Sequence, residues 1–184
     1  MLGKRKNITN YYISFETIIL QPIIREGGGI STRIIERNKE FIIPRKPIQI
    51  VKKSCNYYNG SLKNSINASK NTLGHRHKTP IIVASDFGMP FIFLPTMSPS
   101  SPHNVWIALH AIENMRPDKM GGCVIYLDND ISIKVNVSIT TMQRQHSMGS
   151  ILEKDFQKKH SRLNRPSFYN PYDEGKDDDD DEQK

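Results

Sequence analysis

From Ile131 the chain alternates without a break. Ile131, Ile133, Val135, Val137 and Ile139 are apolar, and Ser132, Lys134, Asn136 and Ser138 between them are polar. A period of two sends successive side chains to opposite faces, so the run fits a strand with one dry and one wet face. The apolar run Cys123 to Leu127 precedes it, and Asp128-Asn129-Asp130 between the two is turn chemistry. The segment is therefore a hairpin. Residue usage agrees: 24 Ile stand against nine Leu and four Ala, and β-branched Ile loses rotamer freedom in a helix. Abundant Ile, Lys and Asn also suggest AT-rich coding DNA, so part of this bias is discounted.

The rest of the chain is weaker in period but similar in kind. Tyr11 to Ile24 is strand-like, with Pro22 restricting it to an edge or an end. Gly27-Gly28-Gly29 permits a reversal, and Ile30 to Ile43 supplies one or two further strands. Pro44-Arg45-Lys46-Pro47 opens a helix with Pro47 at its first position. Within that helix Ile48, Val51, Cys55 and Tyr58 share a face and should point to the core, with Lys52, Lys53 and Asn56 outward. Residues 59–80 are polar and basic, either a long surface loop or a marginal helix.

Ile81 to Ala84 and Phe91 to Leu94 flank Asp86-Phe87-Gly88 as a buried hairpin. Ser98 to Pro102 is a loop, and Val105 to Ile112 is a buried strand or short helix. Ser150-Ile151-Leu152-Glu153 fits a capping box for a final helix. Its apolar stripe would be Met148, Leu152, Phe156 and Leu163, its basic face Lys154, Lys158 and Arg162, and its end Pro166. The expected class is α+β: a strand-rich single domain over 11–166 with antiparallel hairpins and at least two helices. A flexible basic arm over 1–10 precedes it, and an acidic disordered tail over 167–184 follows.

Charge is the first functional clue. Residues 1–171 hold 24 Lys/Arg against 11 Asp/Glu, a net of +13, while residues 172–184 carry −6. A body this basic suits a polyanion through phosphate contact and counterion release. The acidic tail could also fold back on the basic face. No apolar stretch of ~18 residues exists, so no membrane span is expected. The first residues lack a secretion signal. The Asn-x-Ser/Thr sequences at Asn7, Asn59, Asn67 and Asn136 are expected by chance among fourteen Asn. Cys55 and Cys123 read as reduced core thiols. A cytoplasmic protein is expected.

No enzyme constellation stands out. His75-Arg76-His77 could offer two imidazoles, yet no cysteine pair or nearby carboxylate completes a metal shell. Cys55 with His103 or His110 could form a nucleophile pair, but its helical position buries it. Asp128 and Asp130 with Lys134 resemble a metal-dependent nuclease centre, though a turn explains the same acids. Gly27-Gly28-Gly29 lacks the Lys-Ser/Thr of a phosphate loop. No metal, no cofactor and no catalytic residue is expected. Nucleic-acid binding does better. Arg45 to Lys53, Lys63 to Lys78 and Lys154 to Arg165 are basic segments interleaved with Asn and Ser, which serve phosphates and minor-groove acceptors. Composition does not choose DNA over RNA.

A resemblance sharpens this. Pro47-Ile48-Gln49-Ile50-Val51-Lys52-Lys53-Ser54-Cys55, then an aromatic pair and Gly60, resembles the Pro-Leu-Gln-Ile-Val-x-x-Ser-Cys segment of the competence transcription factor family, ComK. In the same order, His77-Lys78-Thr79-Pro80-Ile81-Ile82-Val83 is similar to its His-Lys-x-Pro-Ile-x-Val run. Phe91 to Pro102 matches its Phe-Leu-x-Pro-Thr run with a later Pro. Trp106 and the hairpin at 123–139 have counterparts. The likeness covers roughly residues 12–165.

The resemblance implies a transcription activator of genes for DNA uptake and recombination. It implies binding to paired AT-rich promoter boxes, largely from the minor groove, as dimers that pair into tetramers, and action through RNA polymerase at the nucleoid. Narrow A-tract grooves concentrate negative potential and attract Arg and Lys. The best carry-over from the motifs is Lys52, Lys53, His77 and Lys78. With the other basic segments the candidate contacts are Arg45, Lys46, Lys63, Lys70, Arg76, Lys154, Lys158 and Arg162. Family members also carry a C-terminal aromatic stretch bound by a MecA-like adaptor of a Clp protease. Ser167-Phe168-Tyr169-Asn170-Pro171-Tyr172 matches it poorly. The alternatives are a non-specific basic nucleic-acid binder, or a nuclease using Asp128 and Asp130.

Overall fold

The computed structural model describes residues 10–58 and 60–163. The expected basic arm up to residue 9, Asn59, Pro166, the aromatic stretch from Ser167 and the acidic tail lie outside them. The described chain begins with three strands, β1 (Thr17–Ile24), β2 (Ile30–Glu36) and β3 (Glu40–Ile43), followed by helices α1 (Pro47–Tyr57) and α2 (Leu62–Leu73). Strands β4 (Ile81–Asp86), β5 (Met89–Pro95) and β6 (Trp106–Ala108) follow, then a 3-10 turn over Leu109–Ala111. A second sheet of β7 (Ile112–Pro117), β8 (Cys123–Leu127) and β9 (Ile131–Val135) precedes α3 (Ile139–Leu163). The large sheet runs β3-β2-β1-β6-β5-β4 and the small one β7-β8-β9, with every strand pair antiparallel. The α+β class is as expected.

The hairpin read from alternation forms between β8 and β9. Cys123, Ile125, Leu127, Ile133 and Val135 are buried, while Ser132 and Lys134 face water. Asn129 and Asp130 take positive φ (61° and 58°), which short Asx side chains tolerate. The strand stops at Val135, so the last alternating residues lead into α3 instead. Pro22 needs a correction of a different kind. β1 is interior where Ile19 and Leu20 pair with β6, but β6 reaches no further. Beyond that point β1 pairs only with β2, and Pro22 sits in this one-sided half opposite Thr32.

The helices depart from expectation in phase. α1 opens at Pro47, and the Lys46 backbone N–H donates to Gln49 Oε1 at 3.0 Å. Its buried residues are Pro47, Ile50, Val51, Ser54 and Cys55. Ile48 is only half-buried and Tyr58 is exposed, its hydroxyl donating to the Ile13 carbonyl at 2.7 Å. The buried face is turned toward Ser54, whose hydroxyl accepts from the Ile13 N–H and donates to the Ile50 carbonyl, both at 2.9 Å. The polar stretch after Gly60 resolves as helix, capped by Ser61, whose hydroxyl accepts from the Asn64 N–H at 3.1 Å.

The capping box at Ser150 is overturned, because that residue lies inside α3. The helix begins after Ser138, whose hydroxyl accepts from the Thr141 N–H at 3.2 Å. Its buried residues are Met142, Gln145, Met148, Gly149 and Leu152, and the expected stripe fails at Leu163, which is 83% exposed. α3 lies along β5. A Cβ on Gly149 would stand 2.8 Å from Leu94 Cδ2, so any larger residue forces that leucine to shift. Covered on both faces, β5 is buried from Pro90 to Pro95, as a two-sided strand should be.

Candidate nucleic-acid interface

The three helices form one layer: α1 packs on α2, and α2 packs on α3 and on β4. α2 and α3 are pinned by Asp155, whose Oδ2 accepts from the Thr72 hydroxyl at 2.8 Å and from Lys159 Nζ at 2.6 Å. The Lys159 ammonium, helped by Thr72, holds the Asp155 carboxyl below the usual carboxylate range.

This layer collects the cations. From Phe41 to Ser85 the chain has no Asp or Glu, yet it holds Arg45, Lys46, Lys52, Lys53, Lys63, Lys70, Arg76 and Lys78. None of these eight, nor Lys154, Lys158 or Arg162, forms a salt bridge with a described carboxylate. The described ion pairs lie mostly elsewhere: Arg33–Glu40, Arg37–Asp128, Lys39–Glu36 and Lys134–Asp118, with Lys159–Asp155 the one on the helices.

Two grooves cut the layer. A cleft of about 510 Å³ separates the segment after α2 from the first half of α3. Gly74 turns the chain at positive φ (80°), which a glycine takes without strain, and releases it into an irregular stretch with bends at His75, His77 and Lys78. His75, Arg76, His77 and Lys78 then form one wall, with Thr141, Arg144, Gln145 and Met148 opposite. Gln145 Nε2 donates to the Lys78 carbonyl at 3.1 Å and ties the two walls together. Arg76 is exposed and spends only its Nε–H, on the Leu73 carbonyl at 3.2 Å, so its terminal nitrogens stay available. A second groove, of about 370 Å³, runs between α1 and α2 with Lys52, Asn56, Lys63 and Asn67 on its rim.

The candidate residues therefore separate into groups. Arg76, His77 and Lys78 meet in the cleft, and Lys52 and Lys63 meet in the second groove. Lys70 is half-buried in the last turn of α2, and Lys154, Lys158 and Arg162 are exposed on α3. Lys46 lies beside the Pro99–Pro102 loop, in neither groove, and Arg45 precedes it with its carbonyl accepting from Thr32 Oγ1 at 2.6 Å. Lys53 has a different task. Its Nζ donates to Asn10 Oδ1 at 2.6 Å and stands 5.1 Å over the Tyr12 ring, holding the N-terminal segment to α1. Arg144, opposite Arg76 in the cleft, was not legible as a site residue, since it stands alone among polar neighbours in sequence.

The rival chemical centres are not assembled. Lys134 pairs with Asp118 at 2.6 Å and not with Asp128 or Asp130, and Asp128 pairs with Arg37 at 3.4 Å. Among the described residues no three His, Cys, Asp or Glu gather around a common point that could hold a metal. Cys55 and Cys123 are free and buried, and burial pushes both thiols up, away from the nucleophilic thiolate. No described helix is long and apolar enough to cross a membrane.

Residues 8–161 match the ComK protein family. Over 150 residues the chain is 24% identical to the competence transcription factor of Bacillus subtilis (strain 168), covering 82% of this chain and 77% of the relative. No solved structure matches it. The family match spans both sheets and nearly all of the helical layer, and the chain belongs to the ComK family.

Proposed function

We propose that this chain is a competence transcription factor that binds AT-rich promoter DNA through its helical layer. The observation that carries the reading is the acid-free run from Phe41 to Ser85, whose cations face no described counter-charge in a chain of this family. A polyanion supplies that counter-charge and releases its own condensed ions on binding.

Shape favours the minor groove. At ~6 Å wide it admits single side chains and extended backbone but not a helix. The stretch from Gly74 to His77 is non-helical and exposed, and it carries Arg76, the residue type that narrow A-tract grooves draw in. Arg144 and Lys78 flank it to hold phosphates, while Lys52 and Lys63 extend the contact along α1 and α2. Paired boxes then call for two or more copies of the chain, as dimers or a tetramer, with activation exerted through RNA polymerase. The working unit is the domain over 11–166. The arm over 1–10 and the acidic tail over 167–184 modulate DNA affinity, and a MecA-like adaptor has only the weak stretch at Phe168 to grip. The site of action is the nucleoid in the cytoplasm, and no cofactor or catalytic step is involved.

The test is a titration at ~150 mM salt of three equal-length ligands: a duplex with two AT-rich boxes, its GC-substituted version, and a single-stranded RNA. A preference for the AT duplex above ~1–2 kcal/mol supports groove reading beyond charge. Equal binding to all three reduces the protein to a non-specific basic binder.

A further inference from the structure

The tip of the β4–β5 hairpin holds a residue that the fold does not explain. Asp86 pairs with Met89, leaving Phe87 and Gly88 as a two-residue turn, and both take positive φ (45° and 78°). Such turns favour Asn-Gly, because a left-handed backbone crowds any larger side chain. This chain follows that rule at its other left-handed hairpin turn, where Asn129 and Asp130 do the same job. At the β4–β5 tip it places a phenylalanine that is 97% exposed. The aromatic ring stabilises nothing within the described fold and strains the turn that carries it.

Its surroundings are basic and stiff. α3 runs antiparallel to β5, with Gly149 against Leu94 and the His160 ring against Gly88, where a Cβ would stand 2.6 Å from His160 Cδ2. His160 is backed by Phe156, the two rings stacked at 6.2 Å with 7° between their planes. The last turns of α3 therefore buttress the tip, and they carry exposed Lys158 and Arg162 without a described carboxylate partner. Within the turn itself the one acid is Asp86, among the described residues. From Arg144, in the cleft, to His160 is 16 residues, about 24 Å along the helix and so roughly 7 base pairs of duplex.

A rigid apolar side chain flanked by phosphate-binding cations is the device by which minor-groove proteins unstack a base step. We infer that Phe87 is a wedge that inserts between base pairs of the AT-rich site and kinks it, at a pyrimidine–purine step such as TA, which unstacks most easily. This rests on the DNA-binding reading above. A single ring on a narrow tip, with only the partly exposed Met89 beside it, has the shape for insertion, whereas docking on a protein calls for a broader apolar face.

The experiment uses the full chain and an AT-box duplex with a central TA step, dye-labelled at its ends and carrying 2-aminopurine beside that step. Wild type, Phe87→Asn and Phe87→Trp are compared. Phe87→Asn suits the turn, so it folds, and its melting temperature matches or exceeds that of wild type. Wild type shortens the end-to-end distance and unquenches 2-aminopurine. Phe87→Asn loses both signals and at least tenfold in affinity, and Phe87→Trp keeps them. On a duplex loosened by a mismatch at the TA step, the affinity loss shrinks below threefold. Bending and binding by Phe87→Asn equal to wild type overturn the wedge while leaving DNA binding intact. So does unchanged bending with lost self-association in sedimentation, which makes Phe87 a protein contact. If wild type shows no AT preference, the DNA-binding reading itself fails and the wedge falls with it.

Discussion

Replacing Arg76, Lys78 and Arg144 together with Gln removes the cations of the cleft and leaves its shape. The fold tolerates this: Lys78 is held through its backbone carbonyl by Gln145, and Arg76 and Arg144 are exposed. Each phosphate contact contributes a slope of about −0.9 in log K against log salt, so at ~0.15 M one contact is worth about 0.7 log units, or ~1 kcal/mol. Arg144 and Lys78 hold phosphates and Arg76, seated in the groove, displaces a counterion as well, so the three cations make the expected loss ~150-fold at that salt, with the slope flattened by about 2.7. The assay is fluorescence anisotropy with the AT-box duplex from ~50 to ~300 mM salt. Lys119→Gln is the control, an exposed lysine in the β7–β8 connection away from the helical layer, and its slope should equal that of wild type. A triple variant whose slope stays within about one unit of wild type refutes the placement of DNA on the cleft.

Other consequences concern the fold. Gly149→Val drives carbon into Leu94 and Leu109, the closest approaches for a Cβ being 2.8 and 3.1 Å, and should cost about 1–3 kcal/mol in urea unfolding; an unchanged midpoint would show that α3 does not seat on β5 as described. Burial pushes the Tyr11 phenol above its ordinary pKa while its hydroxyl donates to Glu36 at 2.8 Å. The neutral form is the one the fold holds, so this stabilisation is complete below pH ~10 and is lost as pH rises beyond it. Tyr11→Phe should flatten that alkaline loss and lower neutral-pH stability by ~1–2 kcal/mol, and a steep alkaline transition persisting in the variant would assign it to another group. Cys55 and Cys123 should resist a thiol reagent at pH ~8 until denaturant is added; rapid labelling of the native protein counts against their burial.

What the sequence made legible was local. The β8–β9 hairpin was readable because a period of two survives whatever packs on it, and the turn acids are adjacent. The phase of α1 was not. Ile48 and Ile50 are the same residue type, and Ile50 becomes the buried one because Ser54 meets the backbone of Ile13, a partner 41 positions away. A buried serine carries no hydrophobic signal. The start of α3 was hidden by the alternation itself, since Val137 and Ile139 continue the strand pattern past its end, while Ser150-x-x-Glu153 offers a capping pattern inside a helix. The sequence of α2 fits loop and helix alike because Ser69 is its one buried residue.

The site was half legible for a similar reason. Basic segments are visible one by one, but only the packing of α1, α2 and α3 brings Lys52 and Lys63 to one groove and Arg144 opposite Arg76 in another. The longer signal, 45 residues from Phe41 to Ser85 without an acid, has an energetic meaning as well. Surface ion pairs contribute about 0–1 kcal/mol each, so the fold loses little by leaving these cations unpaired. Their mutual repulsion nevertheless opposes the compact state, and salt screens it within about 10 Å at ~0.1 M. The free protein should therefore gain stability as sodium chloride rises from ~20 to ~200 mM, by ~1 kcal/mol or ~2–4 °C in Tm, while the same salt weakens its complex with DNA. Opposite responses of the free and bound states are expected where the repelling charges are the ones the phosphates neutralise. A free protein that loses stability over this range would mean that its cations are already paired, and that the helical layer has no counter-charge left for DNA to supply.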